Sequence, residues 1–128
     1  MLEGVGRRAE RPEVLYELLA PDVVLDASRL GIPDIGVHHG HDGVREFWRR
    51  WLGPWDAWEF APEEFIDAND EVVVSIRQRG QGKGSGVWAE LSHSQVWTFR
   101  DGKVVRWAMY QTIDEALRAA GTAREPSD

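Results

Sequence analysis

The stretch VVLDAS, residues 23 to 28, places a carboxylate inside an apolar strand pattern. Aspartate is depleted in strands, and a buried charge is costly unless it is paired. By strand alternation Asp26 shares a face with Val24. Two interpretations stay open. Asp26 faces a pocket whose apolar walls raise its pKa and make it a stronger base, or it pairs with an arginine such as Arg77 or Arg79.

A second group of polar residues lies within the apolar stretch HSQVWTF, near the C-terminal end of the chain. Alternation puts His93, Gln95, Trp97 and Phe99 on one face of a strand. The histidine could donate a hydrogen bond or shuttle a proton, and the glutamine could donate from its amide. The alternative for both is a hydrogen-bonded polar residue at a strand edge.

Two further motifs suggest ligands but are better explained as turns. The segment HHGH supplies two metal ligands at most, His39 and His41, with no third in view, so no metal is expected. The glycine-rich RGQGKGSG lies between two strands, whereas a phosphate loop joins a strand to a helix. No cofactor is expected at either motif.

The composition excludes several classes of partner. The chain has 128 residues, a net charge of −7 and no cysteine. An acidic chain with scattered basic residues does not favour nucleic acid, and no apolar run approaches the ~18 residues that would span a membrane. No apolar signal segment begins the sequence, so the cytoplasm is the expected location. Seven tryptophans indicate an aromatic core or a concave ligand site.

The elements that position these residues follow from periodicity and turn signals. A short helix from Pro12 ends at Pro21, a strand covers 23–28, and a helix capped by Asp42 covers 44–52. Four strands follow, one near 59–66 and three that begin at residues 71, 87 and 104. An Asp-Gly hairpin joins the last two, and a capping box at Thr112 begins a closing helix. Strand runs segregated from helix runs predict an α+β fold with an antiparallel sheet.

The predicted domain covers residues 12–121. Residues 1–11 and 122–128 are expected to be a poorly ordered N-terminal segment and a disordered tail.

Taken together, LLAPDVVLD, HHGHDGVREFWRRWLGPW, VWTFRDGKVVRW and DEALRAAG resemble the SnoaL-like proteins. These belong to the nuclear transport factor 2-like superfamily, with ketosteroid isomerases and polyketide cyclases. The resemblance implies a strongly curved antiparallel sheet wrapped around helices, a cone-shaped, cystatin-like α+β barrel with one apolar pocket. It also implies a homodimer through the sheet face.

The resemblance assigns candidate roles to residues of this chain. Asp26 matches the general base of ketosteroid isomerases, and Gln95 or His93 lies near the donor to the oxyanion. The residues expected to line the pocket are Val24, Trp48, Trp97, Phe99, Trp107 and Met109. One departure concerns the N-terminal helical region, which is shorter than in the family. Tyr16 lies too late to match the catalytic tyrosine of that helix, so either the pocket is more open or another chain covers it.

Two functions follow as hypotheses. The first is a cofactor-independent isomerase, cyclase or dehydratase that acts on a small, mostly apolar carbonyl compound, with Asp26 as the base. The second is a non-catalytic pocket protein that binds a small ligand or serves as a dimeric accessory module. Fold alone does not separate them, because one fold carries many functions.

Overall fold

The computed structural model describes residues 16–32 and 34–121. A helical turn at 16–18 is followed by six strands and two helices. They are β1 (Leu19–Arg29), β2 (Val37–His39), α1 (Gly40–Leu52), β3 (Trp55–Ala68), β4 (Glu71–Gly82), β5 (Trp88–Arg100), β6 (Lys103–Tyr110) and α2 (Ile113–Ala119). The predicted segments 1–11 and 122–128 lie outside the described residues.

The six strands form one curved, unclosed sheet in the order β2-β1-β6-β5-β4-β3. Strands β3 to β6 form a hairpin-connected meander, and β1 returns beside β6 in parallel orientation. The other neighbouring pairs are antiparallel, so the sheet is mixed. The α+β class predicted from the sequence is confirmed. The sequence pattern alone does not reveal the β1–β6 pairing, because those strands lie at opposite ends of the chain.

Helix α1 covers the concave side of the sheet. Its buried residues Val44, Phe47 and Trp51 recur at spacings of three and four, which places them on one face. They pack with the inward residues of β1 and β6 in a single apolar cluster. The helix therefore closes the inner side of the sheet over β1 and β6.

Helix α2 lies on the opposite, convex side. Its N-cap is Thr112, whose side chain accepts a hydrogen bond from the backbone N–H of Glu115, as the capping box predicts. Ala116 and Leu117 are buried against Val73 of β4 and neighbouring side chains. The convex face is therefore partly covered within the chain.

Two local predictions are wrong. Residues 12–15 of the predicted first helix lie outside the described residues, and 16–18 form a helical turn. The predicted extension through Leu19 is wrong, because β1 begins there and Leu19 pairs with Val104 of β6. Pro21 lies within the strand, in a stretch of irregular register where a missing backbone N–H is tolerated. Asp42 is not the N-cap of α1: that position is His39, and Asp42 lies in the first turn. No helix among the described residues is long and apolar enough to cross a membrane.

Candidate functional site

Strand β1 presents two different faces. Val23, Leu25 and Ala27 are fully buried and belong to the apolar cluster under α1. Because successive side chains of a strand alternate, Val24 and Asp26 point to the convex side. Val24 borders a shallow surface depression with Lys103 and Arg106 rather than the concave interior. The prediction that Val24 lines the pocket is therefore corrected.

Asp26 is held by polar neighbours on the convex face. One carboxylate oxygen accepts hydrogen bonds from the backbone N–H of Ser28 at 3.0 Å and from its hydroxyl at 2.6 Å. The other oxygen lies 2.8 Å from the guanidinium of Arg106, and the Asp26 side chain is 15% exposed. Burial raises the pKa of Asp26, but the bonds from Ser28 and the charge of Arg106 outweigh it, so the pKa is lowered.

This environment corrects the expectation that Asp26 faces a cavity without a partner. The ion-pair interpretation describes its contacts, with Arg106 of β6 in place of Arg77 or Arg79. Those two arginines pair instead with glutamates, Arg77 with Glu63 and Arg79 with Glu59. A lowered pKa makes a carboxylate a weaker base, which is the opposite of what proton abstraction requires.

Register separates Asp26 from the other two candidate residues. Leu25, Trp107 and Trp97 are paired across β1, β6 and β5, and they share the concave face. Asp26 pairs with Ala108, one position along, and therefore lies on the other face. His93 and Gln95 alternate with Trp97 on the concave side, as predicted. The three residues proposed to act together are thus divided by the sheet.

The concave face carries a buried hydrogen-bond network centred on Gln95. Its side-chain oxygen accepts from the indole N–H of Trp97 at 2.8 Å and from that of Trp107 at 2.9 Å. An indole N–H can only donate, so the oxygen position is fixed and the amide nitrogen must donate. That nitrogen lies 3.0 Å from Nε2 of His93. Nε2 is therefore the acceptor, and the proton of a neutral His93 is on Nδ1.

His93 consequently holds an unused donor in the interior. The residue is 4% exposed, and burial lowers its pKa from 6.5 to about 4. It is neutral near pH 7. Its Nδ1 has no hydrogen-bond partner among the described residues. The Nδ1–H of neutral His93 can donate a hydrogen bond to an oxygen atom, but a neutral imidazole is a poor acid. Nε2 cannot readily act as a base, because it already accepts a hydrogen bond from Gln95.

The remaining predicted pocket residues belong to the apolar cluster on the concave side, two of them buried and three partly buried. Met109 and Trp107 are buried, and Trp48, Trp97 and Phe99 pack against the same cluster. The Trp97 and Trp107 rings are 4.3 Å apart between centroids. Trp48 carries a second buried donor, since its indole N–H also has no partner among the described residues. A cavity in the described part of the chain lies beside this cluster.

A cavity of about 280 Å³ opens between the C-terminal end of α1 and strands β3 to β5. Its walls are mostly apolar, and polar groups come from Gln78, Arg50 and Glu90. The lining residues are Ile32, Ile35, Arg50, Trp51, Pro54, Trp55, Gln78, Gly80, Ala89, Glu90 and Leu91. None of the residues predicted to line the pocket is among them.

Gln78 is the polar residue that the sequence interpretation missed. It is 4% exposed, and its side-chain oxygen accepts a 3.0 Å hydrogen bond from the indole N–H of Trp51. The same argument as for Gln95 fixes its amide nitrogen as a donor. A signal for it exists in EVVVSIRQ, where Val72, Val74 and Ile76 alternate and a glutamine takes the next inward position.

The histidine-rich segment has a structural role in the described residues. Nε2 of His38 donates to the carbonyl of Ile35 at 2.6 Å, and Nε2 of His41 donates to that of Leu19 at 3.0 Å. No group of three or more potential metal-ligating side chains occurs within 16–32 and 34–121.

The face predicted to mediate dimerisation is not bare. Val96 is 4% exposed because it packs against α2, and Tyr110 packs there too. Thr98 bonds to Glu71 at 3.0 Å. Helix α2 therefore covers part of this face, and the association itself stays a prediction.

Comparison with known proteins identifies relatives of this architecture. A family model described as a SnoaL-like domain matches residues 3–107. TerC, whose structure was determined with polyporic acid, is 26% identical with a TM-score of 0.69, covering 90% of this chain and 89% of that one.

An NTF2-like protein of unknown function from Burkholderia pseudomallei is 31% identical, with a TM-score of 0.67 and 87% and 85% coverage of the two chains. A ketosteroid isomerase-like protein from Catenulispora acidiphila, in complex with trimethylamine, is 16% identical, with a TM-score of 0.66 and 88% and 84% coverage, and it shows the fold alone. No curated protein matches. The chain belongs to the SnoaL-like domain family, as the motifs of its sequence predict.

Proposed function

We propose that this protein binds a small, mostly apolar molecule in the cavity beside Trp51, and that the amide of Gln78 donates a hydrogen bond to an acceptor atom of the ligand. The observation that carries the proposal is the orientation of that amide. The indole N–H of Trp51 occupies the Gln78 oxygen, so the nitrogen is left to donate. An apolar cavity with a few fixed polar groups is the usual form of a small-molecule site.

The arrangement suits a ligand that carries an oxygen acceptor. A hydrogen bond made within such a site contributes about 0.5–1.5 kcal/mol net, because the donor exchanges water for the ligand oxygen. The Gln78 amide nitrogen has no acceptor among the described residues, and it is not one of the fully buried unpaired atoms. A carbonyl or ether oxygen in the cavity would accept from it, while the rest of the molecule lies against Ile35, Trp55 and Leu91.

A relative supports this proposal. TerC was co-crystallised with polyporic acid and covers nearly the whole of this chain at 26% identity. A related chain of the same fold thus accommodates an organic small molecule. The family contains several activities on one fold, so the site in this chain is argued from its own residues.

The second candidate is the predicted proton-transfer enzyme acting on a carbonyl compound. The unpaired N–H donors of His93 and Trp48 favour it, because an enolate oxygen accepts strongly from such groups. It also needs a base on the same side. The buried polar side chains of the described residues are Gln78, His93, Ser94 and Gln95, none of them a carboxylate. Binding is therefore the better supported function.

Calorimetric titration with two matched probes tests the proposal. We expect 2-acetylnaphthalene, which carries a carbonyl acceptor, to bind roughly 3- to 10-fold more tightly than 2-ethylnaphthalene, which lacks one. Gln78→Leu should abolish that difference. Gln81→Leu, in the same strand with its amide bonded to the Gly86 carbonyl, should preserve it. If neither probe binds, or if Gln78→Leu retains the difference, the proposal is wrong.

The same ketone separates binding from proton transfer. In D₂O, an enzyme that removes a proton next to the carbonyl would introduce deuterium into the methyl group, which mass spectrometry detects. We expect no acceleration over buffer. Acceleration that disappears in Asp26→Asn would establish the enzyme hypothesis despite the position of Asp26 on the convex face.

A further inference from the structure

We infer that the ligand is a planar aromatic carboxylic acid of up to two fused rings, with its carboxylate at Arg50 and a second oxygen as the acceptor for Gln78. This rests on the proposed function, because it names the chemical class that the same cavity would take. Three features carry it: the size of the cavity, the flat wall made by Trp55, and the arrangement of charge at its mouth.

The volume sets the number of rings. An engineered apolar cavity of about 150 Å³ binds benzene. The cavity here measures about 280 Å³, which leaves room for a second fused ring. Its opening lies among exposed apolar side chains, including Ile32 and Leu91 at 38% and 41% exposure. A ligand of two rings would cover these as well.

The wall next to β4 is flat because residue 80 is glycine. A Cβ atom at Gly80 would lie 2.7 Å from two ring atoms of Trp55, closer than real contacts allow. The Trp55 indole therefore packs directly on the strand backbone. Trp51 and Pro54 line the same cavity. Broad rigid surfaces favour a flat ring, because stacked aromatic pairs gain about 0.5–1.5 kcal/mol beyond the area they bury.

The charge at the mouth is asymmetric. Arg50 lines the cavity and uses one N–H in a 3.2 Å bond to the carbonyl of Asp34, which leaves other guanidinium donors for a ligand anion. Glu90 lines it too, and its carboxylate lies 4.0 Å from Arg77, which pairs more closely with Glu63 at 3.2 Å and so compensates only a small part of the Glu90 charge. The net attraction is therefore for an anion at Arg50, weakened by Glu90.

Isothermal titration with 2-naphthoate and its methyl ester tests the charge. The acid is expected to bind about fivefold more tightly than the ester, the size of a partly exposed ion pair. Arg50→Gln should remove that preference and Glu90→Gln should increase it. Arg49→Gln removes the same charge from the neighbouring position, outside the cavity, and should leave it unchanged. Decahydro-2-naphthoate, which has the same carboxylate on a saturated skeleton, should bind about 2- to 10-fold more weakly than 2-naphthoate.

The outcomes distinguish the aromatic-acid inference from the proposed binding function. If the ester and 2-acetylnaphthalene bind but the acid is not preferred, or Arg50→Gln has no effect, the aromatic-acid inference is wrong and the binding site stands. If the saturated acid binds as well as the aromatic one, the inference is also wrong. If none of the naphthalene compounds binds, the proposed function itself is refuted.

Discussion

Acid should destabilise this protein through His93, and the size of the effect follows from its environment. Burial lowers the pKa of His93 from 6.5 to about 4. The hydrogen bond from the Gln95 amide to Nε2 also disfavours protonation of His93. A protonated Nε2 would place its N–H directly against the N–H of the amide. The folded protein therefore keeps His93 neutral in a range where the unfolded chain protonates it.

The sign and magnitude come from the two pKa values. The contribution of neutral His93 to stability is complete above about pH 6.5 and is lost as the pH falls toward 4. The reason is that only the unfolded state takes up the proton in that interval. One unit of pKa difference corresponds to about 1.4 kcal/mol, so the free energy of unfolding should fall by about 2.5 kcal/mol between about pH 7.5 and pH 4.5. The lowered pKa of Asp26 contributes only below its ordinary value of 3.8, outside this interval.

Urea unfolding followed by tryptophan fluorescence at several pH values in this range measures the effect. His93→Phe keeps an aromatic ring but cannot titrate. The free energy of unfolding of this variant should therefore change little between about pH 4.5 and about pH 7.5. His39→Asn, at an exposed position, should retain the slope of the wild type. A nuclear magnetic resonance titration of His93 in the unaltered protein is independent of how well the variant folds. A wild-type slope in His93→Phe, or titration of His93 near its ordinary value, would refute the reasoning.

Three other outcomes are expected. Asp26→Asn keeps an oxygen acceptor for Ser28 but loses the ion pair with Arg106, which is 46% exposed, so chemical denaturation should show a loss of about 1 kcal/mol; a stabilised variant would contradict the pairing. Trp107→Phe should cost about 1 kcal/mol more than Trp48→Phe, because it breaks a bond to Gln95 whereas the Trp48 indole N–H has no partner; equal losses in thermal unfolding would argue against the network. Sedimentation should show a homodimer through the convex sheet face at micromolar concentration, and a monomer would count against it.

The sequence predicts those features that neighbouring residues decide. The Asp-Gly hairpin forms as predicted, with Asp101 and Gly102 both at positive φ, because two residues suffice to define that turn. The Thr112 cap is equally local. Strict alternation predicts that His93 and Gln95 share a face with Trp97, because successive side chains of a strand point to opposite sides.

The position of Asp26 was decided by tertiary structure alone. The run of Val23, Val24 and Leu25 is apolar on both faces, so the sequence does not say which face is buried. The choice depends on pairing with β6, which brings Arg106 beside Asp26 across eighty positions of chain. A shift of one residue in the pairing register would move Asp26 to the concave face and its neighbours to the convex face. The pairing between these distant strands therefore determines the environment of the carboxylate.

The cavity has the same origin. Gln78 could be noticed in the sequence as a polar residue at an inward position, but its role depends on Trp51, which α1 brings to it from 27 positions away. The indole determines which end of the amide faces the ligand space. Residue types and local periodicity thus determine which side chains are available, and contacts between distant segments determine their orientation, because hydrogen-bond direction depends on the partner and not on the residue itself.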